Sequence, residues 1–387
     1  MHLAINLLWV SARDQTGAFV YVKNLLDQLL KLDRTIKFFL IIRARDRFFF
    51  KPHRSQSNVV VYVCDPCFDL GRRPILAVKK FWAKLRQDDE RMENLVAQEL
   101  NHLMNTYQIR QMFFPTQKIY PRGLQSVEHD VTVFDLQHEY WPGNFSAIEF
   151  AARRENLVYI KDQARHIFAI SEYTKRTLVE KLNWPIKMIT VTPLAPSIKS
   201  SPPRPINLPS RFLFYPAALW PHKNHCLVIE VLHRLTSFYP DLQVIFSGLI
   251  KKKNLKHELD VLIAKYGLTA RVHFLGFVPD EVLQFIYTRA TLLIFPSSFE
   301  GFGMPILEAY QQSLPVVAAR NSSIMEIAGG AATLCETNNI SEFTEAVDCL
   351  LKNDKVRETL KIKMAEQLKK FSWVKTATLT LAELKNQ

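Results

Sequence analysis

The stretch SSFEGFGMPILEA, residues 297–309, brings together residue types that can bind a polar ligand. Glu300 and Glu308 enclose seven residues, among them Gly301 and Gly303. Glycine lets main-chain N–H groups come close to a ligand, and the N-terminus of a following helix attracts a phosphate or another polar oxygen. Glu308 would then accept hydrogen bonds from a diol such as a ribose, and Glu300 from a second sugar-like group.

A structural interpretation of the two acids is also open. Glu300 would then be a solvated loop residue, and Glu308 would only favour the dipole of its helix. The spacing alone does not decide between the two. A diphosphate held between the acids would make the ligand a nucleotide sugar.

The apolar pattern around this stretch predicts a doubly wound α/β domain. Short apolar runs such as FLFYPAAL (212–219), LQVIFSG (242–248) and TLLIFPS (291–297) alternate with longer helical patterns. Continuous apolar strands separated by helices indicate a parallel sheet covered on both faces. Ligands of such sheets bind beyond the carboxyl ends of the strands, which is where the two acids lie.

The first half of the chain repeats this alternation less regularly, so we predict two similar doubly wound domains. The helices of this half are predicted near residues 18–32, 76–107, 150–163 and 172–183. Segment 198–210, IKSSPPRPINLPS, lacks periodicity and is the predicted linker. We place the first domain at 1–200, the second at 201–370, and a C-terminal helix that returns to the first domain at 371–387.

Composition and charge limit the compartment and the partners. Apolar residues make up 48% of the 387 residues and charged residues 22%, values typical of a soluble globular protein. The N-terminal segment lacks the basic region and cleavage site of a signal peptide, so we expect a cytoplasmic protein. The net charge of +13 favours an anionic membrane surface, nucleic acid or a phosphorylated substrate as partner.

Residues 295–332 resemble the donor-binding segment of the retaining glycosyltransferases of family 4, which have the GT-B fold. The resemblance extends over residues 130–375 and implies two Rossmann-like domains that face each other across a cleft. In that family the first acid of the E-x7-E motif lies near the donor sugar and the second holds the ribose. The resemblance assigns donor binding here to Glu300, Gly301, Phe302, Gly303, Met304 and Glu308.

A second part of the resemblance is YPAALWPHKNH, residues 215–225. Lys223 corresponds to the family lysine that neutralises the donor diphosphate. Ala218 stands where the family often has an arginine, so one cationic contact is missing or is supplied from elsewhere. The variant is similar to sequences of mannosyltransferases that build bacterial surface polysaccharides, which favours GDP-mannose as donor.

The third part is VTVFDLQHEYWPGNFS, residues 131–146, where Phe134 occupies the usual histidine position of the family. His138 lies four residues later and is the candidate for contacting the donor sugar. Packing among the neighbouring aromatic residues is the alternative role of this histidine. Asp135 would orient the loop.

Two loops complete the expected donor site. Gly17, within DQTGAFVYVKNLL, resembles the loop residue that allows close approach of the diphosphate. The segment FLGFVPD resembles the turn that borders the base, which assigns this position to Gly276, Phe277 and Val278.

These observations predict a retaining hexosyltransferase, with mannose from GDP-mannose passed to a glycan or lipid-linked acceptor. The catalytic candidates are Glu300, His138 and Lys223. No Asp-x-Asp motif accompanies the donor segment, so we expect a reaction that needs no metal and no cofactor. A donor based on UDP is the first alternative.

The basic and aromatic segments 45–55 and 77–100 are ordinary solvated surfaces in one interpretation. In the other, which the resemblance implies, they place the enzyme peripherally at the inner face of the cell membrane. A non-catalytic protein that binds nucleic acid or a membrane is a further alternative, but the basic residues are dispersed rather than clustered. A nicotinamide-dependent dehydrogenase is disfavoured because no G-x-G-x-x-G follows the first strand.

Overall fold

The computed structural model describes residues 1–10, 17–64, 79–198, 202–250 and 252–386. Within these residues the chain forms two β-sheets, and every strand pairs with its neighbours in parallel. Helices connect most successive strands of the first half and all successive strands of the second. The predicted α/β class and the paired Rossmann-like arrangement are confirmed.

The first sheet has the strand order β3-β2-β1-β4-β5-β6-β7 within the described residues. Its strands are β1 His2–Asn6, β2 Lys37–Arg43, β3 Val59–Cys64, β4 Gln111–Phe114, β5 Glu128–Val133, β6 Ala164–Ala169 and β7 Ile189–Val191. Its helices are α1 Gly17–Leu32, α2 Lys79–Tyr107, α3 Gln137–Tyr140, α4 Ala147–Gln163 and α5 Glu172–Leu182.

The second sheet has the order β10-β9-β8-β11-β12-β13 over the same described part of the chain. Its strands are β8 Phe212–Pro216, β9 Gln243–Ser247, β10 Val272–Phe274, β11 Leu292–Phe295, β12 Val316–Ala319 and β13 Thr333–Cys335. The helices that follow are α6 His225–Leu235, α7 Lys253–Lys265, α8 Asp280–Arg289, α9 Met304–Gln311, α10 Ile324–Ala328, α11 Ile340–Lys352, α12 Asp354–Leu368 and α13 Trp373–Lys385.

Local sequence accounts for these elements. The strands that lie centrally in the second sheet are largely apolar runs, as expected when helices cover both faces; β11, for example, is Leu-Leu-Ile-Phe and is buried throughout. Helix α4 begins with a capping box between Ser146 and Glu149. Helix α5 begins where the Ser171 hydroxyl accepts a hydrogen bond from the Thr174 amide, as is common for a serine at the N-cap of a helix.

The last helix, α13, lies against α1 of the first half. The indole Nε1 of Trp373 donates to the carbonyl of Pro196 at 2.9 Å, and the guanidinium of Arg165 donates to the carbonyl of Asn386 at 2.7 Å. Lys385 forms an ion pair with Asp33. The chain therefore ends on the first half after completing the second. The predicted boundary between residues 200 and 201 lies outside the described residues and stays a prediction.

Each sheet has one switch point, where the chain leaves two neighbouring strands in opposite directions along the sheet. In the first sheet this point lies between β1 and β4, and in the second between β8 and β11. Ligands of open α/β sheets bind in the crevice that such a switch point creates at the carboxyl ends of the strands. We therefore expect the site residues to line these two crevices.

Candidate active site

Lys223 and Glu300 meet at the switch point of the second sheet. Lys223 ends a short turn after β8, and Glu300 follows β11, which pairs with β8. The Lys223 ammonium donates to a carboxylate oxygen of Glu300 in an ion pair whose side chains are 19% and 13% exposed. The structure thus brings together two of the three predicted catalytic residues. An incoming diphosphate would share the lysine with this carboxylate.

The turn that carries Lys223 is fixed by its own hydrogen bonds. The hydroxyl of Tyr215 donates to the carbonyl of Lys223 at 2.7 Å, and the amide of Ser298 donates to the carbonyl of His222 at 2.8 Å. Burial lowers the pKa of His222 to about 4, and the positive charge of Lys223 acts in the same direction. His222 is therefore neutral at pH 7, and Lys223 carries the positive charge of this turn.

The glycine-rich loop after β11 is held from both domains. The hydroxyl of Ser323 donates to the carbonyls of Glu300 and Phe302 at 2.9 and 2.8 Å. From the first domain, the Ser171 hydroxyl donates to the carbonyl of Gly301 at 2.8 Å. A β-carbon on Gly301 would stand 2.4 Å from the Phe134 carbonyl oxygen, so only glycine permits this approach of the two domains.

The remaining residues of the loop differ in what they offer to a ligand. Phe302 is 4% exposed and packs edge-on against Phe371, with ring centroids 5.9 Å apart, so its side chain belongs to the core. Gly303 has φ +105° and precedes the first residue of α9, Met304. The positive φ at this position favours glycine. The loop therefore offers main-chain groups and the N-terminus of α9, as the sequence predicted for its backbone.

Glu308 is buried one turn into α9. Its carboxylate accepts a hydrogen bond from the Ser197 hydroxyl at 2.5 Å and from the Tyr287 hydroxyl at 2.9 Å. Burial raises the pKa of Glu308, and these two hydrogen bonds oppose the rise. A buried carboxylate between two hydroxyl donors resembles the state that it would have with a diol bound. The structural alternative for Glu308, an interaction with the helix dipole alone, does not account for these two hydroxyl partners.

A cavity of about 330 Å³ lies between the domains beside Ser197. The first domain lines it with α1 residues, including Phe19 and Lys23, and the second domain with Phe277, Pro279, Asp280 and Glu281. Gly276 has φ +66°, and the Phe277 side chain is 48% exposed. The predicted base-bordering turn, which continues to Val278, therefore lies at an interdomain opening.

Gly17, the first residue of α1, is exposed, and a β-carbon added there would meet no atom within 4 Å. The residues immediately before it, 11–16, lie outside the described part of the chain. The structure therefore shows no close approach that requires glycine at this position. Its contact with the donor diphosphate stays a prediction.

His138 lies within α3 and is fully buried. Its ring packs edge-on against Phe145 and Phe150, with centroids 6.3 and 5.8 Å apart. Burial lowers its pKa, while the charge of Glu139 acts in the opposite direction. In this arrangement the ring takes the packing role that was the alternative for this residue. Contact with a donor sugar would require α3 to move, and it stays a prediction.

Asp135 lies close to Gly301 of the second domain, which the sequence did not reveal. Its β-carbon lies 3.0 Å from the place that a β-carbon on Gly301 would occupy. Burial raises the pKa of Asp135; the charge of Glu300 also raises it, and the charge of Lys223 lowers it. Its carboxylate accepts a hydrogen bond from the Gln137 amide at 2.9 Å, in keeping with the predicted role in orienting the loop. The sequence signal was its place two residues after a largely buried strand, β5.

A second interdomain contact lies beside the glycine-rich loop. The carboxylate of Glu326, in α10, accepts hydrogen bonds from the amides of Glu172 and Tyr173 at 3.1 Å each. It thereby satisfies the free amides of the first turn of α5. The ring of Phe299 packs against Tyr140 and Tyr173, with centroids 5.4 and 6.0 Å apart. These contacts hold the two switch points face to face.

Residues 198–367 match the family described as glycosyl transferases group 1. The matched residues make up most of the C-terminal half of the chain. Glu300, Glu308 and Lys223 all lie within it. The predicted resemblance to this class of enzymes is thereby confirmed.

Relatives with assigned activities are similar at modest identity. The O-antigen chain mannosyltransferase B of Escherichia coli is 28% identical over 266 residues, which cover 65% of this chain and 68% of that protein. The serotype-specific mannosyltransferase WbdA of Escherichia coli is 28% identical over 180 residues, which are 45% of this chain and 22% of that protein. The glycosyltransferase domain thus has mannosyltransferase homologues, one of which is several times longer than the matched region.

Solved structures confirm the GT-B fold over the whole chain. Anabaena Alr3699/HepE, in complex with UDP and glucose, superposes with a TM-score of 0.73 at 17% identity, covering 100% of this chain and 99% of that one. WaaG, a glycosyltransferase involved in lipopolysaccharide biosynthesis, has a TM-score of 0.66 at 11% identity and covers both chains completely.

Two further features bear on the metal and membrane predictions. Among the described residues, no group of three or more His, Cys, Asp or Glu side chains is arranged to hold a metal ion. In the same part of the chain, each helix is either too short or too polar to cross a membrane.

Proposed function

We propose that this protein is a retaining glycosyltransferase that transfers mannose from GDP-mannose to a glycan or lipid-linked acceptor in the synthesis of a surface polysaccharide or glycolipid. The observation that carries the proposal is the meeting of Lys223 and Glu300 at one switch point, with Glu308 buried one turn into the adjoining helix. The mannosyltransferase relatives support mannose as the sugar.

Each group has a distinct part in the proposed reaction. Glu308 would accept hydrogen bonds from the ribose hydroxyls. These bonds would replace the hydrogen bond that Glu308 accepts from Ser197. The N-terminus of α9, with its free amides and positive dipole end, would face the diphosphate. Glu300 would then lie beside the sugar. The donor would span the second domain from the base-bordering turn to the ion pair.

The reaction would proceed through a transition state with oxocarbenium character. The bond from the anomeric carbon to the diphosphate oxygen breaks as the acceptor hydroxyl attacks from the same face, and the hydroxyl proton passes to the departing diphosphate. Lys223 would stabilise the charge that develops on the leaving group, because it is held where that charge appears. We assign no enzyme nucleophile. We expect turnover without a divalent metal, so chelation with EDTA should leave the rate unchanged.

We further propose that the first domain docks on an anionic membrane surface. Phe48 is 86% exposed and follows Arg45 and Arg47 in the chain, which are also exposed. A protruding apolar ring next to exposed cations combines partial insertion with electrostatic attraction. In the other segment proposed for this role, residues 77–78 and the side chains of 79–89 lie outside the described part of the chain.

A panel of nucleotide sugars tests the donor. Purified protein is heated with GDP-mannose, GDP, UDP-glucose or UDP-N-acetylglucosamine, and the unfolding midpoint is compared with that of the free protein. A ligand present at a hundred times its dissociation constant stabilises by about 2.7 kcal/mol, enough to shift the midpoint by several degrees. GDP and GDP-mannose should produce the largest shifts. Shifts with the UDP-sugars alone would transfer the proposal to a UDP donor.

Transfer itself is then followed by proton NMR of the product. An α-linked mannoside formed from GDP-α-mannose would establish retention. Absence of any shift with all four nucleotides, together with absence of donor hydrolysis, would refute the proposed function.

A further inference from the structure

A cation and an exposed aromatic ring meet at the switch point of the first sheet. Trp9 follows β1 and Lys118 follows β4, two neighbouring parallel strands. The ammonium of Lys118 lies over the Trp9 indole, 3.6 Å from the ring centroid. Trp9 is 43% exposed, and Tyr120 supports it edge-on at 5.6 Å between centroids.

A second cation lies near the ring of this cluster, Trp9 with Lys118. The guanidinium of Arg43 lies 5.6 Å from the Trp9 ring centroid. Within the described part of the chain, no carboxylate forms an ion pair with the Lys118 ammonium. Burial lowers the pKa of Lys118, and the charges of Arg122 and Arg43 lower it further, against the opposing charge of Glu93. A half-buried cation among like charges is stabilised by an anion.

The cluster is linked to the candidate active site through the residue next to Lys118. The Gln117 side chain accepts hydrogen bonds from the amides of Phe134 and Asp135 at 3.0 and 3.3 Å, and donates to the Asp135 carbonyl at 3.0 Å. That turn contacts Gly301, which follows Glu300. The cluster therefore lies in the first domain beside the turn that faces the Lys223–Glu300 pair.

We propose that Trp9 and Lys118 form a subsite for an acceptor saccharide that carries an anionic group. A pyranose ring would pack against the part of the indole that Lys118 leaves exposed, and its phosphate or carboxylate would pair with the ammonium of Lys118. Two features carry this: a flat apolar surface suited to a sugar face and an adjacent cation with no carboxylate partner among the described residues. The acceptor role rests on the proposed function, whereas binding of an anionic saccharide does not.

Binding of simple probes tests the subsite without catalysis. Mannose 1-phosphate, glucuronic acid, the neutral methyl α-mannoside and inorganic phosphate are titrated calorimetrically into the full chain. The two anionic sugars should bind at least about tenfold more tightly than methyl α-mannoside, since a hydrogen bond to a charged group has at least this effect. The two anionic probes distinguish a phosphate from a carboxylate.

Variants locate the binding. Lys118→Met should reduce the affinity for the anionic sugars to that for the neutral sugar, Lys118→Arg should largely retain it, and Trp9→Ala should weaken all three sugars. The matched control is Lys187→Met, at an exposed lysine of the same domain. Circular dichroism establishes that each variant is folded.

Equal affinity for the neutral and anionic sugars, or no effect of Lys118→Met, would overturn the proposal. The proposal would also be refuted if inorganic phosphate bound as tightly as mannose 1-phosphate and Trp9→Ala left both affinities unchanged. The affinity for GDP should be the same in wild type and Lys118→Met. A failure of all nucleotides to bind would refute the proposed donor function while leaving this saccharide test intact.

Discussion

The carbonyl oxygen of Phe134 and the α-carbon of Gly301 lie so close that a β-carbon on the glycine would stand 2.4 Å from the oxygen. One belongs to the turn after β5 and the other to the loop after β11. The hydroxyl of Ser171 fixes the same contact by donating to the Gly301 carbonyl. The relative position of the two switch points therefore depends on the absence of a side chain at residue 301.

We predict that Gly301→Ala prevents this approach. The added methyl group must displace backbone, which is costlier than displacing a flexible side chain, so the turn that carries Asp135 should shift away from Glu300. Misplacement of reacting groups by about 1 Å costs up to about 100-fold in rate, so kcat/KM should fall by about 10- to 100-fold. The affinity for GDP should change little, because the contacts proposed for the base and the ribose lie in the second domain.

The control for this variant is Gly143→Ala, since a β-carbon at Gly143 would meet no atom within 4 Å. Steady-state transfer rates and calorimetric titration of GDP provide the two readouts. Wild-type kcat/KM in Gly301→Ala would show that the contact has no part in the reaction.

A second prediction concerns the ion pair between Lys223 and Glu300. Lys223→Met and Glu300→Gln should each lower kcat/KM by about 100-fold, if each side chain contributes about 3 kcal/mol in the transition state. Because the two side chains are in contact, the double variant should lose less than the product of the single effects. Wild-type turnover in both single variants would remove the proposed mechanism. Lys256→Met is the matched control, because Lys256 pairs with Asp260 on the surface of α7.

The sequence predicted most of the second domain and its site because both are encoded locally. Apolar runs such as β11 and the residues that follow them lie close together in the chain, so the strand, the loop and Glu308 could be placed from the pattern alone. The short strand β13, Thr333–Cys335, was not predicted, since three residues with one fully buried position carry little periodicity. The helices α11 and α12 were also not identified in advance.

Contacts between distant segments could not be predicted in this way. Trp9 and Lys118 are far apart in sequence and meet only because β1 and β4 are neighbours in the sheet. The proximity of Asp135 to Gly301 depends on how the two domains face each other. His138 shows the converse: its family position suggested a ligand contact, while the surrounding Phe145 and Phe150 rings enclose it.

A third prediction tests whether Glu308 binds the ribose. Glu308→Gln keeps the size of the side chain but removes its charge, so the affinity for GDP should fall by about tenfold or more. The affinity for 2′,3′-dideoxy-GDP should be the same in the variant and the wild type, because that ligand lacks the hydroxyls. Glu230→Gln is the control, since Glu230 also accepts a hydrogen bond from a tyrosine, Tyr266, away from the site. An equal loss of affinity for both nucleotides would contradict the ribose contact.

A fourth prediction concerns membrane docking. Phe48→Ser should reduce co-sedimentation with vesicles of phosphatidylcholine and phosphatidylglycerol, because the variant loses the exposed ring that would enter the interface. Vesicles of phosphatidylcholine alone should bind wild type more weakly, since each basic residue near an anionic surface contributes about 1 kcal/mol. Phe238→Ser is the control, because Phe238 is similarly exposed, at 71%, in the second domain. Equal binding of the two variants would contradict docking through Phe48.

The fifth prediction concerns the pH dependence of stability. His129 is buried against the Phe114 ring, and burial lowers its pKa from 6.5 to about 4. The unfolded chain therefore binds more protons than the native protein between these values, so the free energy of unfolding should fall as the pH falls from 6.5 to 4. The contribution of this one group is up to about 3 kcal/mol.

His129→Phe should make this decline shallower, because it removes the titrating group and keeps a ring beside Phe114. The decline should not vanish, since burial also lowers the pKa of His222 to about 4 and of His225 to about 3. Asp130 has the opposite effect, because burial raises its pKa from 3.8 to about 6. Its contribution to the free energy of unfolding therefore decreases as the pH rises from 3.8 to 6.

Urea unfolding at pH values from 4 to 7 measures the slope, and the difference between wild type and His129→Phe isolates the one histidine. Phe114→Leu is the control, since it weakens the same contact but keeps the imidazole, so its curve should run parallel to that of wild type at lower stability. If the His129→Phe curve were also parallel to that of wild type, the histidine would titrate alike in the native and unfolded states, and its burial would not be the source of acid sensitivity.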